Sequence, residues 1–407
     1  MKKRLTLGEK WLFVSPFLCL AIAGLVWLWP KNDANSFVVS EAELMSAPQF
    51  SPDGRRLLVT FLNARTESWS SRVYDAKSFS EVSNLELPSA MAVKLANQPP
   101  IRNYRSFSWS GDGKSIVGNR SGRISVWDAQ NGFLKTDFPY SPVKNNWRFE
   151  VVRFSPDDKT LVSNGIPPEI FEMETGRRLN QPDTSIPITN RALLSENGRW
   201  LAKLDVNSNR FQVSDYHTKR VLWKLAVNEN ARFVWSDDIL CVQSNANFDS
   251  PPARNRFLLW NASTRRQLTS PPVAFGVENN HFVFSPDGRT LMYSDGQTRW
   301  NERRFTGELV VWDYRAHRKL WRRELSSPIY TPKWSPDGKM LAVSSSTPEG
   351  HSDIQVFDLA GKLIYERKTA TNASWSPDSK QLAFTLPTRL FLGRPYVNRV
   401  EIHRFAD

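Results

Sequence analysis

Two cysteines and five histidines in 407 residues leave little material for disulfide or metal chemistry. Cys19 lies in an apolar N-terminal run and Cys241 in the body of the chain. No disulfide can therefore join two parts of the body, and stability must rest on packing. His217, His281, His317, His351 and His403 are scattered, without the HxxxH, HExxH or Cys-His spacings that build zinc sites. A Walker loop, a GxGxxG turn, an EF-hand loop and a GxSxG nucleophile elbow are also missing. These absences predict a protein with no metal or other cofactor and no catalytic residues, hence not an enzyme. Between the repeated segments described next there is no ten-residue stretch of helical periodicity, which argues against helical solenoids.

What the chain has in abundance is one pattern. In HFVFSPDGRTLMYSD, His281 to Asp295, an alternating apolar segment meets Ser285, Pro286, Asp287 and Gly288, and a second apolar run follows. Pro suits the second position of a turn, Asp the third, and Gly the left-handed conformation that closes a hairpin. The signature returns at Ser51 (SPDG), Ser110 (SGDG), Ser155 (SPDD), Ser195 (SENG), Ser236 (SDD), Ser335 (SPDG) and Ser376 (SPDS), eight copies in all. Their mean spacing, about 46 residues, is close to that of a four-stranded propeller blade. Several copies carry a third strand ending in an acid or amide: ISVWD to Asp128, QVSD to Asp215, FLLWN to Asn261, VVWD to Asp313 and IQVFD to Asp358. A turn and a fourth segment come next, as in HRKLWRREL and GKLIYE. The repeated aspartates are read as turn and strand-end residues that bond nearby backbone, because identical turns in separate blades share no centre.

The SPDG hairpin, the apolar-Trp-Asp strand end and the GK-L return together resemble bacterial WD40-type propellers, and TolB-like propeller repeats almost as closely. The likeness runs from about Phe37 to Asp407, with Trp-Asp intact at Trp127-Asp128 and Trp312-Asp313 and the Gly-His dipeptide of the standard repeat absent. It implies an all-β propeller of four-stranded blades. Eight blades are favoured and seven is the alternative, since VWSDDILCVQS is shortened at its turn and the first copy is stretched between Ser80 and Tyr104. The last copy lacks a fourth strand, and Phe37 to Ser40 (FVVS) is expected to supply it, latching the ring.

Ahead of residues 37–407 come a basic end (1–10), the run Trp11 to Trp29, which holds no charge over 19 residues, and a linker (30–36). The run is long enough to form one transmembrane helix. Lys2, Lys3, Arg4 and Lys10 precede it, so the positive-inside rule puts the N-terminus in the cytoplasm and the propeller outside, on a single-pass cell (inner) membrane protein. A cleavable signal peptide with Ala21-Ile22-Ala23 at its end is the rival reading.

The net charge is +13, and residues 32–407 keep an excess of 49 basic over 40 acidic groups. For an exported domain beside a bilayer this points to an acidic protein face, anionic lipid or cell-wall polymer. Nucleic acid is not the expected partner, as no recognised binding pattern is present. In propellers of the resembled type, first-to-second and third-to-fourth turns share one face and the other loops share the opposite one. Here the second-to-third connections read as long basic loops: Arg254 and Arg256 in the fifth copy, Arg299, Trp300, Arg303, Arg304 and Phe305 in the sixth, Arg389, Phe391, Arg394, Tyr396 and Arg399 in the eighth. Arg65, Trp69 and Arg72 hold the equivalent place in the first copy. Arg among aromatics is the composition of interface hot spots. The expected function is a membrane-tethered, non-enzymatic protein-interaction platform; the alternative is a small-ligand sensor or enzyme using the central channel.

Overall fold

The computed structural model describes residues 35–39, 42–63, 68–85, 107–120, 123–139, 152–155, 157–163, 169–179, 191–195, 199–205, 210–216, 218–226, 231–244, 256–271, 281–299, 304–346, 352–388 and 397–406. Among them every regular element is a β-strand, and the strands form eight separate antiparallel sheets. The favoured count of eight blades stands. Blades 1 to 8 begin with first strands ending at Phe50, Trp109, Phe154, Leu194, Ser236, Phe284, Trp334 and Trp375. Five of the blades run first to fourth strand in simple meander order, Phe282–Phe284, Thr290–Arg299, Arg304–Asp313 and Arg318–Leu325 in blade 6 for example. No described helix is long and apolar enough to cross a membrane, and the expected span at residues 11–29 lies outside the described residues.

Consecutive sheets touch chiefly through their first strands, which therefore converge on the axis. The fourth strands face outward; that of blade 6 is exposed along most of its length. Apolar clusters fill the seams between blades. Leu58 and Val73 of blade 1 meet Ile116 and Trp127 of blade 2, and Met292 and Val311 of blade 6 meet Trp334 and Leu341 of blade 7. Period-2 alternation puts neighbouring residues of one strand into different seams: Leu57 packs toward blade 8 and Leu58 toward blade 2.

The ring closes as the sequence suggests. Ser36–Val39 pairs antiparallel with Val397–Arg404, from Ser36 opposite Glu401 to Val39 opposite Asn398, and completes blade 8 as its outer strand. Phe37 and Val39 are buried in the seam between blades 8 and 1, where Phe37 lies 4.6 Å from the Tyr74 ring and 5.1 Å from Phe79. Burying a side chain of this size stabilises by about 1.5–3 kcal/mol. Three polar bonds add to the latch: Ile402 N–H to the Asn35 carbonyl (2.8 Å), Arg399 Nη2 to Ser36 Oγ (2.6 Å) and Arg404 Nη1 to Asn35 Oδ1 (3.0 Å).

Several blades depart from regularity. Among the described residues blade 3 has three strands, with a single bridge, Phe171 to Arg178, on the outer side of the third. In blade 1 the first strand is broken into Ala42–Met45 and Gln49–Phe50, with Pro48 between them unable to donate to the ladder. Blades 7 and 8 carry bulges in their first strands, with Thr331 at φ 44° and Asn372 at φ 58°.

Candidate functional site

The two faces of the ring differ in how their charges are used. On the first-to-second turn face six of the repeat serines are knots that tie a turn aspartate to the backbone. Ser51 Oγ donates to Asp53 Oδ1 (2.6 Å) and accepts from Arg56 N–H (2.9 Å), while Asp53 Oδ1 takes the Arg55 N–H (3.0 Å). The set is repeated at Ser285, Ser335 and Ser376, with Ser to Asp distances of 2.6, 2.6 and 2.5 Å. These bonds hold the carboxyls of Asp53, Asp287, Asp337 and Asp378 below their ordinary value although partial burial opposes it. Most of the turns also carry their own base, as Arg289 does 3.6 Å from Asp287 and Lys339 3.7 Å from Asp337. Their acids are thus committed to architecture.

Adjacent turns also touch. Pro52 lies near Gly113, Pro286 near Gly338, and Pro377 near Gly54 across the closure, each 3.6–3.7 Å from where a Cβ would stand. Where Gly is replaced, the left-handed residue reaches to the preceding blade. Asp158 accepts the Gly111 and Asp112 N–H groups (2.7 and 2.9 Å), and Ser379 Oγ accepts the Asp337 N–H (2.9 Å). The strand-end acids behave as expected: Asp128 accepts the Gln130 N–H (2.9 Å), Asp313 the Ala316 N–H (2.9 Å) and Asp358 the Lys362 N–H (2.8 Å).

The opposite face carries the second-to-third connections. In blade 6 the segment expected to be a loop is largely strand: ten consecutive pairs run from Thr290 opposite Asp313 to Arg299 opposite Arg304. Two glycines explain the extension. Gly296 and Gly307 face each other so closely that a Cβ on Gly307 would stand 2.6 Å from the Gly296 Cα, and the half-buried Phe305 ring covers the pair. Phe305 is thus engaged in packing, and Arg299 and Arg304 lie on strand backbone.

Other candidates also have structural partners. Arg72 stands 3.6 Å from Glu81 and over the Phe61 ring, and Arg399 holds the latch. Arg256 closes a strand pair opposite Ser244, and Trp69 pairs with Leu62. Arg65, Arg254, Trp300, Arg303, Arg389, Phe391, Arg394 and Tyr396 lie outside the described residues.

Sequence reasoning passed over the basic residues of the first strands. Arg191 and Arg232 occupy the position four residues before the repeat Ser in blades 4 and 5, and His281 the same position in blade 6. Arg153 and Lys333 stand two before it in blades 3 and 7. His281 is half-buried, its ring edge-on to Tyr330 of blade 7 at 5.8 Å; burial and the charge of Arg232 hold its pKa below the ordinary value. Burial alone lowers that of Lys333. Comparing the same offset from each serine would have revealed them. Among the described residues no group of three or more His, Cys, Asp and Glu could hold a metal ion, and the Cys241 thiol is buried, which raises its pKa well above the ordinary value.

These features define an eight-bladed β-propeller. The C-terminal WD40 domain of Sif2 has the same fold, with a TM-score of 0.60 at 13% identity over 92% of this chain and 99% of that one. The Dos1 propeller follows, with a TM-score of 0.59 at 14% identity over 91% and 94%. In sequence, 86 residues are 34% identical to the Tol-Pal system protein TolB of Alcanivorax borkumensis, a match that spans 19% of this chain and 19% of that relative. No protein-family model matches the chain.

Proposed function

We propose that this propeller is a membrane-tethered, extracytoplasmic platform that binds an acidic protein partner through the face of the second-to-third connections. The observation that carries the reading is the uncharged 19-residue run behind a basic end, placed directly before the ring. The latch adds a direction. Asn35 and Ser36 lie beside Glu401 and Ile402, near the end of blade 8 where Arg404 pairs with Gln381, just after the Ser376 turn. The chain thus enters the ring on the turn face. Residues 30–34 can reach about 17 Å fully extended, so a helix at 11–29 would hold the turn face toward the bilayer.

The basic hairpins then point away from the membrane. This favours a protein partner or cell-wall polymer over anionic lipid for Arg299, Arg303 and Arg304, and an acidic protein face suits Arg and aromatic side chains best. The WD40-type fold and the partial likeness to a Tol-Pal system protein are in line with a non-enzymatic part in a multi-protein assembly.

The test is affinity capture of the full chain from membranes, with mass spectrometry, beside a variant carrying Arg299→Glu, Arg303→Glu and Arg304→Glu. A stoichiometric protein lost from the variant is expected. Equal recovery with both, or release of the chain by carbonate washing, would refute the partner face and the tether respectively.

A further inference from the structure

Along the rim of the turn face the third-to-fourth turns are alike in backbone and unlike in charge. One carbonyl closes each turn onto the strand-end N–H: Ser80 onto Asp75, Phe133 onto Asp128, Arg177 onto Glu172, Arg220 onto Asp215 and Lys362 onto Asp358, at 2.8–3.0 Å. Arg266 and Arg318 hold this place in blades 5 and 6, opposite Asn261 and Asp313. The residue before it is left-handed in every case. In blades 2, 3 and 7 it is Gly132, Gly176 or Gly361, where neighbouring atoms leave no room for a Cβ, and in blade 1 it is Phe79, packed on Phe37. Blades 4, 5 and 6 instead place Lys219 (φ 61°), Arg265 (φ 57°) and His317 (φ 54°) there, accepting a strain that glycine would relieve.

Counting the acids as well as the bases localises the charge. In the seven residues from the strand-end position, blades 4 to 6 hold Lys219, Arg220, Arg265, Arg266, Arg315, Arg318 and Lys319 against Asp215 and Asp313. The same places in blades 1, 2, 3 and 7 hold Lys77, Arg177, Arg178 and Lys362 against Asp75, Glu81, Asp128, Glu172, Glu174 and Asp358. The excess of five bases in the first set becomes an excess of two acids in the second. The repeat signatures of blades 4 to 6 add Glu196, Asp237, Asp238 and Asp287 against Arg199 and Arg289, which still leaves an excess of three bases on this side.

The bases also differ in what holds them. Arg177 and Arg178 stand 3.3 and 2.7 Å from Glu172 and Glu169, and Lys319 stands 3.9 Å from Glu308. Arg220, Arg265, Arg266 and Arg318 are exposed, and among the described residues no carboxylate lies within ion-pair distance of them. Two large apolar side chains are exposed on the same rim, Phe133 at 73% and Leu359 at 49%. Bases spread singly over three blades, with isolated apolar tips beside them, suit a fluid sheet of phosphates, which demands no convergent geometry; a protein hot spot would gather them.

We propose that this rim rests on the anionic surface of the bilayer, with Arg220, Arg265, Arg266 and Arg318 pairing with lipid phosphates and Phe133 and Leu359 entering the headgroup boundary. The proposal rests on the tether described above, which turns this face toward the membrane. It adds a second point of attachment. The chain enters at blade 8, and blade 4 lies across the ring of eight from it, so entry and basic arc together would hold the ring flat.

The experiment places the full chain in lipid nanodiscs of phosphatidylcholine alone, or with about a quarter phosphatidylglycerol, and follows arginine modification by phenylglyoxal with peptide mass spectrometry. Modification of Arg220, Arg265, Arg266 and Arg318 should slow by about threefold or more in the anionic discs and recover in high salt, while Arg299 and Arg304 on the hairpin face react alike in both. The Arg220→Glu, Arg266→Glu and Arg318→Glu variant should lose the protection of Arg265 without a change in melting temperature. Equal reactivity in the two discs, with the chain retained in both, would overturn the surface and leave the tether standing; so would protection by a co-purified acidic protein in neutral discs. A chain that fails to insert would refute the tether, and its sedimentation with vesicles of the anionic mixture, abolished in the triple variant or not, would then decide the surface alone.

Discussion

The turn face and the hairpin face of this ring are built from the same repeats, yet their charges do different work. On the turn face the acids recur in nearly every blade, each tied to a buried serine and a backbone N–H, as at Ser335, Asp337 and Lys339. Toward the hairpin face the bases of the first strands occur in some blades and not in others. Repetition marks what each blade needs to fold. The exceptions to repetition, such as Arg153 and Lys333, are not explained by that need.

If that division holds, damage on the turn side should appear as lost stability and damage on the hairpin side as lost binding. The largest effect is expected from deleting Ser36–Val39, which strips four residue pairs and uncovers the Phe37 pocket. The melting temperature should drop by about 4–8 °C, the shift that about 3–6 kcal/mol for losing a buried Phe with its strand gives in a domain of this length. Unchanged melting would mean that the ring does not depend on its latch.

Next comes Gly361→Ala, on a third-to-fourth turn. Gly361 has φ 78°, and a Cβ there would stand 2.7 Å from Trp321, so a loss of about 2 kcal/mol is expected from strain and displaced packing, read by chemical denaturation. Ser335→Ala follows, at about 1–3 kcal/mol, because it removes a fully buried hydroxyl and leaves the partly buried Met340 N–H without its side-chain acceptor. On the other face, the Arg299, Arg303 and Arg304 to Glu reversal should leave the melting temperature within about 1 °C, in the range of surface substitutions. A large drop there would dissolve the distinction between the faces.

The smallest expected effect is pH dependence. The turn aspartates have folded pKa values below the ordinary 3.8, so their contribution is present above that value and fades as pH falls through the lower folded pKa. Asp337→Asn should flatten the acid limb of the stability curve slightly, since the group is near the surface and screened.

Much of this was legible beforehand for a physical reason: turn chemistry is local. Ser, Asp and Gly within four residues determine a hairpin whatever surrounds it, and the missing fourth strand after Arg404 called for an extended piece such as Phe37 to Ser40. The blade 6 hairpin was misjudged because Gln297 to Phe305 is polar and glycine-bearing, the composition of a loop; the strand persists through the close Gly296 and Gly307 approach, which is a cross-strand fact. Lys333 was passed over because a lysine before Trp334 looks like ordinary alternation. It stands out only when the same offset is compared across all eight blades, and no local window contains that.

The latch also makes the ring a mechanical part. Asn35 and Arg404 are hydrogen-bonded at the same end of blade 8, so the two ends of the described chain leave side by side. Tension that pulls them apart would meet the four pairs from Ser36 to Val39 one after another, as a zipper, instead of all at once in shear. A load applied between these two ends would therefore fall on the outermost four-residue strand first, and blade 8 is where the ring would begin to open.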